Sequence, residues 1–228
     1  MQKRTGRKKL PVVLTEAEVE ALREQCTRSA TGLRNRAMVE IMVGAGLRLS
    51  EVIDLRPSDI DWEVGQIRVN NGKGGRDRVV PVNGDTLAHL QVWASKRESL
   101  GYNGRHPFFF GIRTKGRALT PQNIQQMIGA MGEKAGIAKK VHPHVLRHTY
   151  ATLTLRSPNV DIREVQDALG HSNVSTTMIY THVDPEAFRR KIQGTPKADK
   201  LDALQLAQKL QELDPEAREA LAALLGNA

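Results

Sequence analysis

The sequence predicts a mostly α-helical protein with a small antiparallel β-sheet. Two patterns predict it. Apolar residues recur at helical spacing through most of residues 15–182, with Thr, Ser or Pro at the starts of the periods. The period changes once, in QIRVNNGKGGRDRVVPV (66–82), where β-branched residues flank a Gly-rich centre. That stretch reads as a hairpin turning near Gly72–Gly75. At 228 residues the chain can bury a sizeable core, and with aromatics at 4% that core should be mostly aliphatic.

The elements follow in order. In LTEAEVEALREQC, Thr15 and Glu18 have capping-box spacing, and Val19, Leu22 and Cys26 fall on one helical face. A second helix is expected over about 33–45, with Leu33, Ala37, Ile41 and Met42 inward, ended by Gly44 and Gly46. Ser50 is placed to cap a short helix through Leu55, which Pro57 stops. After the hairpin, residues 85–99 return to helical spacing. PFFF (107–110) is a short apolar strand or buried connector. Thr120-Pro121 opens a helix with Ile124, Ile128, Met131 and Ala135 on one face. Further helices are expected over about 143–156, 161–169 and 175–182. The last stretch, KADKLDALQLAQKLQELDPEAREALAALLGNA, reads as two amphipathic helices. Leu206, Leu210 and Leu213 line the first; Leu221, Leu224 and Leu225 line the second, which starts at Asp214-Pro215 and ends at Gly226. There is no internal repeat and no low-complexity segment.

Charge divides the chain. Lys and Arg number 34 against 25 Asp and Glu, a formal net charge of +9. Residues 196–228 carry four basic and six acidic side chains, so residues 1–195 carry a net +11. The first nine residues alone hold five Lys or Arg, a basic arm. A basic body of this kind suits a polyanion such as nucleic acid. Cys26 is the only cysteine, which excludes an intrachain disulfide framework and a cysteine-built zinc site. The N-terminus lacks the apolar run of a signal peptide, and no stretch reaches the roughly 20 apolar residues of a membrane span. The expectation is a soluble, cytoplasmic, nucleoid-associated protein.

Five of the seven histidines lie between 142 and 182. HPHVLRHTY (142–150) holds three of them, at spacings that metal sites use. Arg147 stands among them, however, and a fixed cation opposes a bound one. A different chemistry takes in more of the chain. Arg48 follows Gly46 at a helix end, Lys73 sits in the hairpin turn, His144 and Arg147 lie one helical turn apart, and His171 and Tyr180 follow in LGHSNVSTTMIYTH. Two guanidiniums, an amine, two imidazoles and a phenol suit metal-free phosphoryl transfer. Arginines clamp non-bridging phosphate oxygens with charge-assisted hydrogen bonds. Nearby cations and a histidine base make a phenol, whose pKa is ordinarily about 10, usable as a nucleophile.

These stretches carry a family resemblance. GLRLSEVIDL, GKGGRDRVVPV, HPHVLRHTYAT and ALGHSNVSTTMIYTH resemble, in order, the first arginine box, the catalytic-lysine hairpin, the His-x-x-Arg box and the final histidine–tyrosine box of the tyrosine recombinase (phage integrase) family. The resemblance spans most of residues 15–185 and implies that family's catalytic-domain fold. It makes Tyr180 the nucleophile and Arg48 and Arg147 the phosphate clamp. His144 would assist proton removal or bind the phosphate. His171 would hydrogen-bond the phosphate, Lys73 would be the general acid for the 5′ oxygen, and Glu51 would support the site. Tyr150 stands where the family usually has phenylalanine and is read as core. His148 is assigned to the surroundings of the site, and His182 has no assigned role.

The resemblance further implies site-specific DNA recombination through a covalent 3′-phosphotyrosine, without metal, nucleotide or other cofactor. The partners it implies are double-stranded DNA and a homo-tetramer on paired sites, with a monomer when free. Type IB topoisomerase-like nicking and rejoining, or a noncatalytic DNA-binding accessory role, are the alternatives. The expected organisation is a basic arm over 1–14, a catalytic domain over 15–190 and a C-terminal helical extension over 191–228. Family members usually carry an additional N-terminal helical domain, and here about 14 residues precede the first helix. The acidic extension is expected to be an interaction element.

Overall fold

The computed structural model describes residues 12–70, 77–157 and 160–169. The expected basic arm, hairpin turn, 175–182 helix and C-terminal helices lie outside them, apart from Val12, Val13 and Leu14. Within them the protein is mostly helical with small antiparallel sheets, as expected.

Helix α1 spans Glu16–Glu24. The Thr15 hydroxyl accepts from Glu18 N–H at 3.2 Å, and Thr15 N–H donates to the Glu18 carboxylate at 2.7 Å. This is the capping box read from the sequence. Helix α2 (Ala30–Gly44) starts three residues earlier than its apolar period suggests, because Ser29 accepts from Gly32 N–H and caps it. It is buried on nearly every side, from Ala37 to Val43, and forms the central post against which α4 and α6 pack. Helix α3 (Leu49–Asp54) is not capped by Ser50, which is exposed inside it. Arg48 is its N-cap residue, and the Glu51 carboxylate reaches back to Arg48 N–H at 2.7 Å.

A 3-10 turn, Pro57–Asp59, leads into a three-stranded sheet of β1 (Ile60–Asp61), β2 (Gln66–Val69) and β3 (Arg78–Pro81). All pairs are antiparallel, and Val69 opposite Arg78 is the last rung before the turn. Helix α4 (Gly84–Ser99) is capped by Asn83. The Phe run is both connector and strand: Phe108, Phe109 and Phe110 are fully buried, and β4 (Phe110–Gly111) pairs with β5 (Arg117–Ala118). Trp93 donates to the Phe108 carbonyl at 2.9 Å. The core is thus mainly aliphatic, with its aromatic mass gathered at one place. Helix α5 (Pro121–Lys134) buries Ile124, Ile128 and Met131, with Ala135 at its C-cap. Helices α6 (Pro143–Leu155) and α7 (Ile162–Leu169) follow. Tyr150, Ala151, Val165, Ala168 and Leu169 form a second apolar cluster between them. No helix among the described residues is long and apolar enough to cross a membrane.

Gly46 is the turn that brings these parts together. Its φ is +63°, a region that L side chains adopt at a cost. A Cβ there would lie 2.3 Å from the Tyr150 ring and 3.0 Å from Leu169. Tyr150 is 3% exposed and cannot swing away. We therefore expect Gly46→Ala to destabilise the fold by at least about 2 kcal/mol, from backbone strain plus overpacking. Gly104→Ala, at a glycine with open space around it, should stay within about 0.5 kcal/mol. Urea denaturation of the two variants measures both.

Candidate active site

Four of the expected site residues fall among the described residues, and the fold gathers them. Arg48 and Glu51 enter from the start of α3, just after the Gly46 turn. His144 and Arg147 enter from α6, where one helical turn sets them on one face. Pro143 at the first position starts that helix sharply. Lys73, His171 and Tyr180 lie outside the described residues.

Arg147 is the most confined of these groups, 7% exposed. One of its Nη atoms donates to the Gly46 carbonyl, the other to the Leu169 carbonyl at 2.6 Å. The first bond ties α6 to the α2–α3 turn. The second satisfies a carbonyl at the C-terminus of α7, where helix carbonyls have no N–H donors of their own and the dipole favours a cation. Burial, and then repulsion from Arg48, hold the Arg147 guanidinium down to about 9. It stays charged at neutral pH.

Glu51 is the counter-charge. Its side chain is 7% exposed, and Oε1 accepts from Arg48 Nη1 at 2.9 Å. Sequence reasoning missed its other partner. Arg78 grips the same carboxylate with a two-pronged fork, Nη1 to Oε1 and Nη2 to Oε2, both at 2.8 Å. Arg78 Nε donates to the Ala168 carbonyl at 2.9 Å. A signal for this was present: Arg78, Val80 and Val82 alternate, and Val80 and Val82 are fully buried, so Arg78 lies on the inward face of its strand. Burial alone would raise the Glu51 pKa, but the Arg78 fork and the Arg48 contacts reverse that and hold it at about 2.

The histidines are held neutral. Burial, then the charges of Arg147 and Arg48, lower His144 below its ordinary value. His148 is pushed down to about 4 by burial and then by His144 and Arg147. His142 is lowered by burial, His144 and Lys140. Among the described residues no group of three or more His, Cys, Asp or Glu is placed to hold a metal ion. Tyr150 behaves as core: burial pushes its phenol up to about 12, well away from nucleophile range. A cleft of about 330 Å³ opens beside the start of α6, lined by Lys139, Lys140, His142 and His144, with Gln125 and Glu133 from α5.

Paired guanidiniums beside a neutral imidazole, in a confined and electropositive recess, suit an anion that bears several oxygens. Known proteins share this architecture. The sequence profile of the phage integrase family matches residues 12–187. The tyrosine recombinase XerC of Xanthomonas campestris pv. campestris is 42% identical over 177 residues, 78% of this chain and 53% of that protein. That of Proteus mirabilis is 39% identical over 175 residues, 77% of this chain and 56% of that protein. Among solved structures, XerA recombinase matches with a TM-score of 0.65 at 36% identity, over 83% of this chain and 67% of that one. XerH site-specific recombinase bound to its difH substrate matches with a TM-score of 0.61 at 26% identity, over 92% of this chain and 57% of that one. The chain belongs to the phage integrase (tyrosine recombinase) family. It spans a little over half the length of the curated relatives it matches.

The Glu51 cluster makes a pH prediction. Its folded pKa lies below the ordinary 4.5, so its charge stabilises the fold above that value and the contribution fades as pH falls toward about 2. A shift of that size corresponds to on the order of 3 kcal/mol. The urea midpoints of wild type and Glu51→Gln should therefore differ most at pH 6 and converge as the solution is acidified below 4.5. A gap that stays constant down to pH 3 would contradict the assignment.

Proposed function

We propose that the chain is a site-specific DNA recombinase that cleaves and rejoins strands through a covalent 3′-phosphotyrosine. The observation that carries this is the convergence of Arg48, Arg147 and His144, from two separate sequence boxes, close enough that each arginine lowers the His144 pKa. A phosphodiester under attack brings negative charge to these donors. Arg48 and Arg147 hold the non-bridging oxygens as negative charge grows on them. Tyr180 attacks the phosphorus; His144, neutral and so able to accept, takes the phenol proton. The bond to the 5′ oxygen breaks, and Lys73 protonates that oxygen. His171 adds a hydrogen bond to the phosphate. Attack by a 5′-hydroxyl from the partner strand reverses the sequence and frees Tyr180. The chemistry needs no metal or other cofactor, because the arginines perform the charge stabilisation that metal ions provide elsewhere.

The basic cleft beside α6 gives duplex DNA a place to lay its backbone, and salt-dependent affinity follows from counterion release. Strand exchange joins two sites, so four protomers assemble on paired DNA, each a monomer when free. Within the chain, residues 15–190 form the catalytic unit, 1–14 a basic arm tracking phosphates, and 191–228 a helical interaction element, acting in trans or folded back over the basic cleft. Its place of action is the cytoplasm, on nucleoid DNA.

Trapping tests this reading. With nicked suicide duplexes from a random-sequence pool and EDTA present, wild type should give a denaturation-resistant adduct, and Tyr180→Phe should give none. Arg147→Ala should cut adduct formation by roughly 10²-fold or more, as when one preorganised donor to a developing anion is lost. Normal cleavage by Arg147→Ala would refute the clamp. Relaxation of supercoiled plasmid with no recombinant product would transfer the same chemistry to a topoisomerase.

A further inference from the structure

We propose that the β4–β5 hairpin is a second DNA-contacting surface: Arg113, Lys115 and Arg117, with Arg105 beside them, hold duplex phosphates beyond the cleft at the start of α6. This rests on the recombinase reading and adds a surface to it. Residues 99–132 contain no Asp or Glu, although the chain holds 25 of them. The Lys and Arg residues of that stretch are Arg105, Arg113, Lys115 and Arg117. All four are exposed, and none forms an ion pair among the described residues. Elsewhere Arg23, Arg36 and Lys139 each have a carboxylate partner. A patch of one sign with no counter-charge inside it suits a polyanion better than an ordinary surface of mixed charge does.

The hairpin is built to hold these charges still. The Gly111 carbonyl accepts from Thr114 N–H, Thr114 Oγ1 and Gly116 N–H at 3.0–3.2 Å. A Cβ on Gly116 would lie 2.5 Å from the Tyr102 ring and 3.0 Å from His106, so the hairpin sits directly on the loop that carries Arg105. Arg97, 2% exposed, braces that loop by donating to the Asn103 carbonyl at 3.0 Å. Arg34 holds the hairpin's first strand through the Phe110 carbonyl at 2.9 Å. At the tip, Lys115 has a φ of +52° and is the one non-glycine residue with positive φ among the described residues. Glycine or asparagine takes that conformation more easily than lysine. The strain at Lys115 is accounted for if its charge is what the tip needs.

The hairpin also lies within reach of the catalytic end of the molecule. Ala118 ends β5, and Gln125 of α5 lines the cleft that His144 also lines. The three steps from Ala118 to Pro121 extend at most about 10 Å, and Pro121 to Gln125 rises about 6 Å along the helix. At 3.4 Å per base pair, about 16 Å is on the order of five base pairs of duplex. DNA seated in the cleft can therefore pass over the hairpin. Charge without planar apolar groups at the tip suits phosphates and not bases.

The test uses full chains of wild type, Lys115→Asn and Arg113→Gln/Lys115→Gln/Arg117→Gln. Affinity for labelled duplexes, one A·T-rich and one G·C-rich, is measured by fluorescence anisotropy over a range of salt concentrations, and urea midpoints are measured beside it. The slope of log affinity against log salt should fall by about 2 to 3 in the triple variant and by about 1 in Lys115→Asn. The loss should be equal on both duplexes. Lys115→Asn should unfold at a urea concentration no lower than wild type, because asparagine tolerates the left-handed backbone. A lysine kept only for the fold would give the opposite pattern, a lower midpoint with unchanged DNA binding. Wild-type slopes in the triple variant, or a loss confined to one duplex, would overturn the proposal while wild-type binding leaves the recombinase reading standing. No salt-dependent DNA affinity in wild type itself would overturn both.

Discussion

The constraint on which the site depends is the confinement of positive charge. Arg147 is almost wholly buried, Arg48 and Arg78 stand close enough to lower its pKa, and Glu51 is the carboxylate that answers them. Burying like charges together opposes folding, since each must give up water. Three devices make it tolerable. Glu51 is shared between two guanidiniums. The carbonyls of Gly46, Ala168 and Leu169 accept from Arg147 and Arg78. The negative end of the α7 dipole faces these cations. An anion entering beside these cations would relieve their mutual repulsion. Stability is surrendered at the place where binding energy is to be gained.

The rest of the fold holds that arrangement still. Helix α2, buried on nearly every side, fixes the Gly46 turn from which α3 departs. Helix α6 is pinned along its length. Thr149 Oγ accepts from Leu14 N–H and donates to the Val145 carbonyl, and Lys139 just ahead of α6 donates to the Val13 carbonyl and to Glu18. The segment preceding α1 is thus tied to the helix that carries His144 and Arg147. The Phe108–Phe110 block and Trp93 are fully buried in the core and supply rigid volume. A site built on helix starts and a strand end, backed by close packing, holds donor directions better than one built on loops.

Much of this was legible in the sequence, where the determinants were local. The Thr15–Glu18 box, the Pro121 and Pro143 helix starts and the Gly46 helix end each depend on neighbours within a turn or two. The four candidate site residues that the fold brings together were singled out in the sequence because their boxes resemble those of a known family. The failures were also local in origin. Ser29 capped α2 ahead of its apolar period. Glu51 took the capping role expected of Ser50, because its carboxylate was already drawn to Arg48. The β4–β5 pair is two residues long, too short for any period to register. Arg78 is the instructive case. In the sequence it is one basic residue among several near a turn, and its importance arises from partners 27 and 90 residues away. Only its alternation with Val80 and Val82 marked it as facing inward.

The central claim is that Arg48, Arg147 and His144 form an anion site. It is tested most directly by the titration of His144 by NMR, in the Tyr180→Phe chain to exclude covalent chemistry, with and without saturating duplex DNA. Free, His144 should titrate below its ordinary 6.5, because burial and the two arginines oppose its protonation. With DNA bound, a phosphate should enter the recess and raise that value, and Arg147→Ala should abolish most of the rise. A His144 pKa that does not move, or that falls, when DNA binds would contradict the assignment of this cluster as the phosphate site.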